Sequence, residues 1–228
     1  MKPMWFGYAD KVRFAGMMGV LLCSLVFCHG DAGGGQQEGD ESLEAVRARI
    51  EKADATVVPV LRRWLAEASD TKSVGEGNEK LFLTLHGVGE YRLTDCAPLA
   101  SFFYKQAPFR SDLRQIAADA LAAMGSKKNL EELKSIVWDQ QLRLAVRCKA
   151  AAALVKMDDD LGRHFLLLQY DLYRLERKTM HGWNMDPVRD TLERIHDKKL
   201  VASLEARLVE ETGTMHNNIT TLISRMAI

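Results

Sequence analysis

The chain has 228 residues, of which 47% are hydrophobic and 27% are charged, and its 31 basic residues equal its 31 acidic residues in number. This composition is that of a globular protein and excludes wholesale disorder. The net charge is zero, so the chain lacks the surplus of basic residues that nucleic-acid-binding proteins usually carry. We therefore expect no nucleic-acid partner.

The first 30 residues are predicted to be a secretory signal peptide. Three basic residues, Lys2, Lys11 and Arg13, precede an uncharged apolar run at 14–28, and small residues follow it. A basic start, a short apolar core and a small-residue cleavage region are the parts of such a peptide. The run is short for a helix that spans a bilayer, which takes about 20 residues, so an uncleaved N-terminal anchor is the alternative. In both cases we expect an exported protein, periplasmic or secreted, that contacts a membrane only through residues 1–30.

Three further segments are predicted after the signal peptide. Residues 31–42 are rich in glycine and polar side chains, which is typical of a flexible linker. We expect a repeat domain at 43–211 and a C-terminal capping helix at 212–228. The capping helix is predicted from an apolar face that follows the last full repeat and consists of Ile219, Leu222, Ile223 and Met226.

The repeat is clearest in two amphipathic stretches, Leu113–Met124 and Val146–Met157, which align at an interval of 33 residues. Their apolar side chains recur at steps of three and four, which predicts a helix in each. Each stretch is followed by a break and by a second apolar-patterned stretch. The predicted unit is therefore a helix, a short turn and a second helix.

Weaker copies of the unit extend the pattern in both directions. One begins at Glu44, one begins at Asp186, and a diverged copy lies at 79–106, where Val88–Gly89 aligns with Met124–Gly125. A period in the thirties with paired helices predicts a solenoid, because each pair has apolar faces that only a neighbouring pair can cover. The alternative is an ordinary helical bundle whose alanine-rich helices resemble one another by chance.

The stretches LRQIAADALAAMGS, VRCKAAAALVKMD and DPVRDTLERIHD resemble the HEAT repeat family, in the short-repeat form also seen in bilin-lyase-type proteins. The resemblance implies an all-α fold, a right-handed α–α superhelix of about five helix pairs over 43–211. It also implies that the arginine after an aliphatic residue joins a polar ladder between repeats, which would assign Arg114, Arg147 and Arg189 to that ladder. HEAT scaffolds have many unrelated uses, so this fold alone does not define a function.

Signals for catalysis are absent from the sequence. It contains no HExxH, CxxC, GxSxG or glycine-rich phosphate loop, so we expect no catalytic site, no metal and no cofactor. Asp158–Asp160 stands between two predicted helices and is expected to cap the second one rather than to bind calcium. Cys96 and Cys148 lie two repeats apart, too far for a disulfide, and are expected to be reduced and buried.

One predicted helix, 161–177, carries the candidate binding surface. At about 100° per residue, Leu161, Phe165, Leu168 and Leu172 fall on one stripe, which we expect to face the core. The opposite side carries tyrosines and arginines, the residue types enriched in binding hot spots, and second helices are expected to line the inner curve of the stack. The predicted partner-binding residues are Arg163, Leu166, Tyr170, Tyr173 and Arg177, and the alternative is that neighbouring pairs bury them.

These features together predict an exported, non-catalytic scaffold that binds a protein or peptide partner. Two alternatives remain open from the sequence. One is a lyase-type or other enzyme subunit on a HEAT-like scaffold, and the other is a structural component of an envelope complex that keeps residues 1–30 as an anchor.

Overall fold

The protein is described by a computed structural model, which covers residues 41–70, 78–177, 187–209, 211 and 213–226. Within these residues it contains eleven α-helices and no strand, so the predicted all-α class is confirmed. The predicted signal peptide and all but the last two residues of the predicted linker lie outside the described part. The helices are α1 (Leu43–Glu51), α2 (Val58–Asp70), α3 (Glu79–Glu90), α4 (Ala97–Gln106), α5 (Asp112–Met124), α6 (Leu130–Trp138), α7 (Leu144–Lys156), α8 (Asp160–Arg177), α9 (Pro187–Glu193), α10 (Lys198–Leu208) and α11 (Gly213–Met226).

The helices form two rows, which we call the odd row and the even row after the numbers of their helices. Within each row, neighbouring helices follow the order of the chain. In the odd row, α1 contacts α3, and the same step joins α3 to α5, α5 to α7, α7 to α9 and α9 to α11. In the even row, α2 contacts α4, α4 contacts the 3₁₀ turn that leads into α6, and α6 contacts α8. The rows pack together through α2 with α3, α4 with α5, α6 with α7 and α7 with α8, and the core lies between them. None of the helices in this described part combines the length and the apolar character that crossing a membrane requires.

The sequence of α5 shows how local chemistry fixes these helices. Ser111 precedes α5, and its hydroxyl accepts a hydrogen bond from the backbone N–H of Arg114 at 3.2 Å. Asp112 places a negative charge at the positive end of the helix. Gly125 ends the helix with φ of 50°, a left-handed conformation that glycine adopts without a steric penalty.

The same left-handed turn ends four helices of the odd row. Ala53, Arg92, Gly125 and Asp158 have φ between 49° and 62° and follow α1, α3, α5 and α7, and the last three are spaced 33 residues apart. Arg92 therefore occupies the position of Gly125, and the predicted alignment through Gly89 was wrong by three residues. The error arose because only one of these four turns uses glycine, the residue that marks a left-handed turn in a sequence.

Side chains after the turn cap the following helix or 3₁₀ segment. Asp159 accepts a hydrogen bond from the N–H of Leu161 at 2.9 Å, and Asp54 and Ser126 make the same bond two residues ahead in the first and third turns. The capping role predicted for Asp158–Asp160 is therefore confirmed at Asp159. No group of acidic, histidine or cysteine side chains within the described residues could hold a metal ion.

Small residues bring the helices of the odd row close together. A Cβ atom added at Gly89 in α3 would lie 3.1 Å from Cα of Ala120 in α5. Buried alanines continue this contact surface at Ala117 in α5 and Ala150 in α7. Short side chains permit a close approach of helix axes. The buried side chains of the even helices include the larger Trp64, Phe103 and Phe165. Cys96 and Cys148 are both buried, and neither forms a disulfide with a described residue, as expected.

Candidate binding groove

The predicted partner-binding face of α8 faces inward. Arg163, Leu166 and Tyr170 are 7%, 0% and 6% exposed, respectively. By contrast, Leu168 and Leu172, which were assigned to the core stripe, are 37% and 47% exposed. Arg163, Leu166 and Tyr170 therefore belong to the packed interior, and the prediction that they form an open surface is wrong. The side chains of Tyr173 and Arg177 lie outside the described part of the chain.

The exchange of faces on α8 has a physical reason. Apolar side chains occur around most of this helix, so their periodicity alone does not select the arc that is buried. The buried arc is the one that carries Gly162, where an added Cβ would lie 2.5 Å from the carbonyl oxygen of Ala151 in α7. Only the side of α8 that carries Gly162 can approach α7 so closely, because every other residue has a Cβ atom. This contact sets the orientation of α8.

Arg163 is held by three carboxylates in this interior. Its Nη2 and Nε atoms donate to Asp197 at 2.9 Å and 3.1 Å, its Nη1 donates to Asp160 at 2.7 Å, and it also pairs with Asp158. The hydrogen bonds to Asp197, which outweigh the cost of burial, raise the pKa of Arg163 above its ordinary value. Because Asp197 caps α10, this cluster joins α8 to the next even helix.

Two of the three arginines assigned to a ladder make equivalent contacts. Nη1 of Arg114 donates to the carbonyl of Tyr104, and Nε of Arg147 donates to the carbonyl of Val137, both at 2.9 Å and both ten residues back along the chain. Each carbonyl lies in the last turn of the preceding even helix, where a positive charge is favourable. Arg114 and Arg147 therefore each contact the end of the helix that precedes their own, and their assignment to a ladder between repeats stays a prediction.

Arg114 also pairs with a partly buried carboxylate, that of Asp139. Its Nε and Nη2 atoms donate to Asp139 at 3.1 Å and 2.8 Å, and its guanidinium lies 4.5 Å from the ring centre of Tyr104. Burial opposes ionisation of Asp139, but the hydrogen bonds from Arg114 and the N–H of Gln141 outweigh it and lower its pKa. The Nε atom of Arg189 donates to Glu193 within α9 at 2.7 Å, and Arg225 of α11 also contacts Glu193.

A cavity of about 670 Å³ opens on the odd row, across α5, α7 and α9. Its floor is largely alanine, and basic side chains surround the floor. The lining residues that matter for its chemistry are Arg92, Ala123, Ala145, Lys149, Ala152, Lys156, Asp190, Thr191 and Arg194. This recess therefore lies on the odd row and not on the even row to which α8 belongs.

The charges around this cavity are unequal. Lys149 is neutralised by Asp119, with both carboxylate oxygens at 2.9 Å from its Nζ atom. The side chains of Arg92, Lys156 and Arg194 are exposed and make no ion pair or hydrogen bond with any described residue. These three cations face a single lining carboxylate, that of Asp190, so the cavity carries a positive field.

A second cavity of about 300 Å³ continues the first one toward α3. The two share Ala123 and Lys149 as lining residues. His86 and Glu90 line the far end of the smaller cavity, so its charges are mixed. We call the two cavities together the odd-row groove.

The sequence contained a signal for this groove that periodicity analysis of the core does not use. Ala145, Lys149, Ala152 and Lys156 follow one another at steps of four, three and four, so they share one face of α7. That face is opposite the buried position Leu154. The short side chains of Ala145 and Ala152 leave room between the two lysines on this face, where the cavity lies.

Comparisons with protein-family models, with curated proteins and with solved structures find no match to this chain. The resemblance to HEAT repeats therefore depends on the quoted residues alone.

Proposed function

We propose that this chain is an exported, non-catalytic scaffold of HEAT-like repeats that holds a segment of a partner protein in the odd-row groove. The observation that carries the proposal is the groove itself, a recess that extends from α3 to α9 with an alanine floor and with cations at its rim that pair with no described residue. A recess that crosses four helices fits an extended or helical chain segment better than it fits a compact small molecule. Thr191 is the hydroxyl residue that lines the larger cavity. Its hydroxyl donates to the carbonyl of Pro187 at 2.6 Å rather than to a side chain that could activate it as a nucleophile.

The serial contacts within both rows support the further proposal of a right-handed α–α superhelix of about five helix pairs. Side-chain links recur at a similar sequence separation: Arg62 with Asp95 spans 33 residues, Arg163 with Asp197 spans 34 and Arg207 with Asp171 spans 36. The first link joins α2 to the segment that leads into α4, and the other two join α8 to α10. Contacts between neighbouring repeats hold a stack of repeats together. On this proposal, the closely spaced odd row forms the inner surface and α11 covers its C-terminal end.

Export is proposed from residues 1–30 alone. The measurement that checks it is the N-terminus of the protein recovered from its native host, determined by mass spectrometry. A new N-terminus near residue 30, found outside the cytoplasm, is the expected result. An intact Met1 in the cytoplasm would contradict the proposal.

The binding function is tested by site-specific photo-cross-linking in the native host. A photoreactive amino acid at Lys156 in the groove should yield a discrete cross-linked band, whereas the same group at Glu131, which is exposed on α6, should not. Ala145→Trp should remove the band, because the exposed Ala145 lines the groove and a large ring there fills it. The matched control is Ala66→Trp, an exposed position on α2, and bands of equal intensity at both cross-linker positions would contradict the proposal.

A further inference from the structure

We propose that the segment held in the odd-row groove is acidic, with carboxylates that pair with Arg92, Lys156 and Arg194 and apolar side chains that pack on the alanine floor. This inference rests on the proposed binding function and adds the chemistry of the partner. It begins from the distribution of charge along the two rows.

Several cations that connect neighbouring helix pairs have carboxylate partners. Arg62 pairs with Asp95 at 2.8 Å, Arg207 pairs with Asp171 at 2.7 Å and Arg163 lies among three aspartates. In the groove, three cations from three separate elements lack such partners among the described residues: Arg92 follows α3, Lys156 ends α7 and Arg194 follows α9. Three unpaired cations around one recess, in a chain of zero net charge, favour an anionic ligand at this place.

The floor of the groove distinguishes an acidic protein segment from a phosphate polymer. Ala145 and Ala152 present methyl groups between the cations of α7. A segment in which glutamates alternate with apolar residues would cover these methyl groups and reach the rim at the same time. A nucleic acid would leave the floor uncovered, and the chain as a whole lacks the basic surplus that such a partner requires.

The two arginines and the lysine have different tasks in this arrangement. A guanidinium can bind a carboxylate through two parallel hydrogen bonds, whereas an ammonium acts as a point charge. Arg92 and Arg194 would therefore fix the direction of the segment, and Lys156, which lies between them in chain order, would add attraction with less geometric demand. Because all three are solvent-exposed, the affinity should decrease as salt shortens the range of the charges.

The test measures fluorescence anisotropy of labelled peptides with the full chain. The probe alternates glutamate and leucine, and its matched partner carries glutamine in place of glutamate. We expect the glutamate peptide to bind more tightly, and we expect Arg92→Glu, Lys156→Glu and Arg194→Glu together to weaken it by about tenfold or more. The control changes Lys52, Lys127 and Lys198 to glutamate; these exposed lysines lie outside the groove and give the same change in net charge.

The outcomes separate this inference from the proposed function. Equal binding of both peptides, abolished by Ala145→Trp, would overturn the acidic preference and leave the binding function standing. No binding of the glutamate peptide, together with no cross-link at Lys156, would overturn both. Competition by a DNA oligonucleotide as strong as that by unlabelled peptide would show that phosphate is recognised and would overturn the inference. Should the triple variant not fold, affinity of the unaltered chain that does not change with salt would overturn it as well.

Discussion

The role predicted for Arg163 from the sequence differs from the role that the structure gives it. In the sequence it stands near two tyrosines and resembles a binding residue, but in the structure it is 7% exposed and joins α8 to Asp197 at the start of α10. A buried cation is tolerated only when its hydrogen-bond donors are satisfied, and the aspartates at 158, 160 and 197 satisfy them. Its role is therefore the connection between two repeats.

Removal of Arg163 should destabilise the fold strongly. Arg163→Met leaves the half-buried carboxylate of Asp197 without its cation, and losses of about 3 kcal/mol are expected for such a change. Asp160→Asn is the matched control, because Asp160 is 84% exposed and its pair with Arg163 should contribute less than about 1 kcal/mol. Urea unfolding followed by circular dichroism measures both, and equal losses in the two variants would contradict a buried role for Arg163.

The same cluster predicts how stability depends on pH. Hydrogen bonds from Arg163 hold the pKa of Asp197 below its ordinary value. Its contribution to the free energy of unfolding is therefore complete above the unfolded pKa of about 3.9 and is lost as pH falls below that value through the lowered folded pKa. We expect the stability of Asp197→Asn to decrease less steeply with falling pH than that of the unaltered chain. Urea unfolding at a series of pH values measures this, and parallel curves would contradict it.

At the scale of helices, the helical type of the elements could be predicted from the sequence, but their orientation could not. Steps of three and four identify α5 and α7, in which the large apolar residues Leu113, Leu121 and Leu154 are buried. The same steps misorient α8, where Leu168 and Leu172 are exposed while Leu166 is buried. The close approach of α7 to Gly162 decides this orientation, and it depends on a partner helix that the local pattern does not contain.

Gly162 should therefore be intolerant of the smallest possible substitution. Glycine to alanine inside a helix normally stabilises a protein by up to about 1 kcal/mol. At Gly162, however, a Cβ would lie 2.5 Å from the carbonyl oxygen of Ala151 and 2.8 Å from Cβ of Leu154, so α7 and α8 must separate. We expect Gly162→Ala to destabilise the chain by about 1–3 kcal/mol, the range for overpacked sites. Thermal melting measures the sign, and an increase in melting temperature would contradict the orientation of α8.

At the scale of the whole molecule, the 33-residue interval predicts which helices are equivalent, and Arg92, Gly125 and Asp158 keep that interval in the structure. The side on which a partner could bind was not predictable from the interval. It depends on how closely the helices of each row approach one another. The alanines of the odd row affect this spacing only as a set, since each one alone is an ordinary helical residue. The predicted binding face therefore fell on the even row, whereas the groove lies on the odd row.

A stack of repeats and a closed bundle differ in how damage spreads. In a stack, each repeat contacts only its neighbours, so a cavity at one end loosens that end first. Leu222→Ala in α11 removes a side chain that is 3% exposed and should increase hydrogen exchange in α9, α10 and α11, while α3 and α5 keep their protection. Val46→Ala in α1, at the opposite end, should increase exchange in α1 and α3 alone. Mass spectrometry of the exchanged peptides measures both patterns, and a uniform loss of protection from either variant would mean one cooperative bundle, with no repeat that responds on its own.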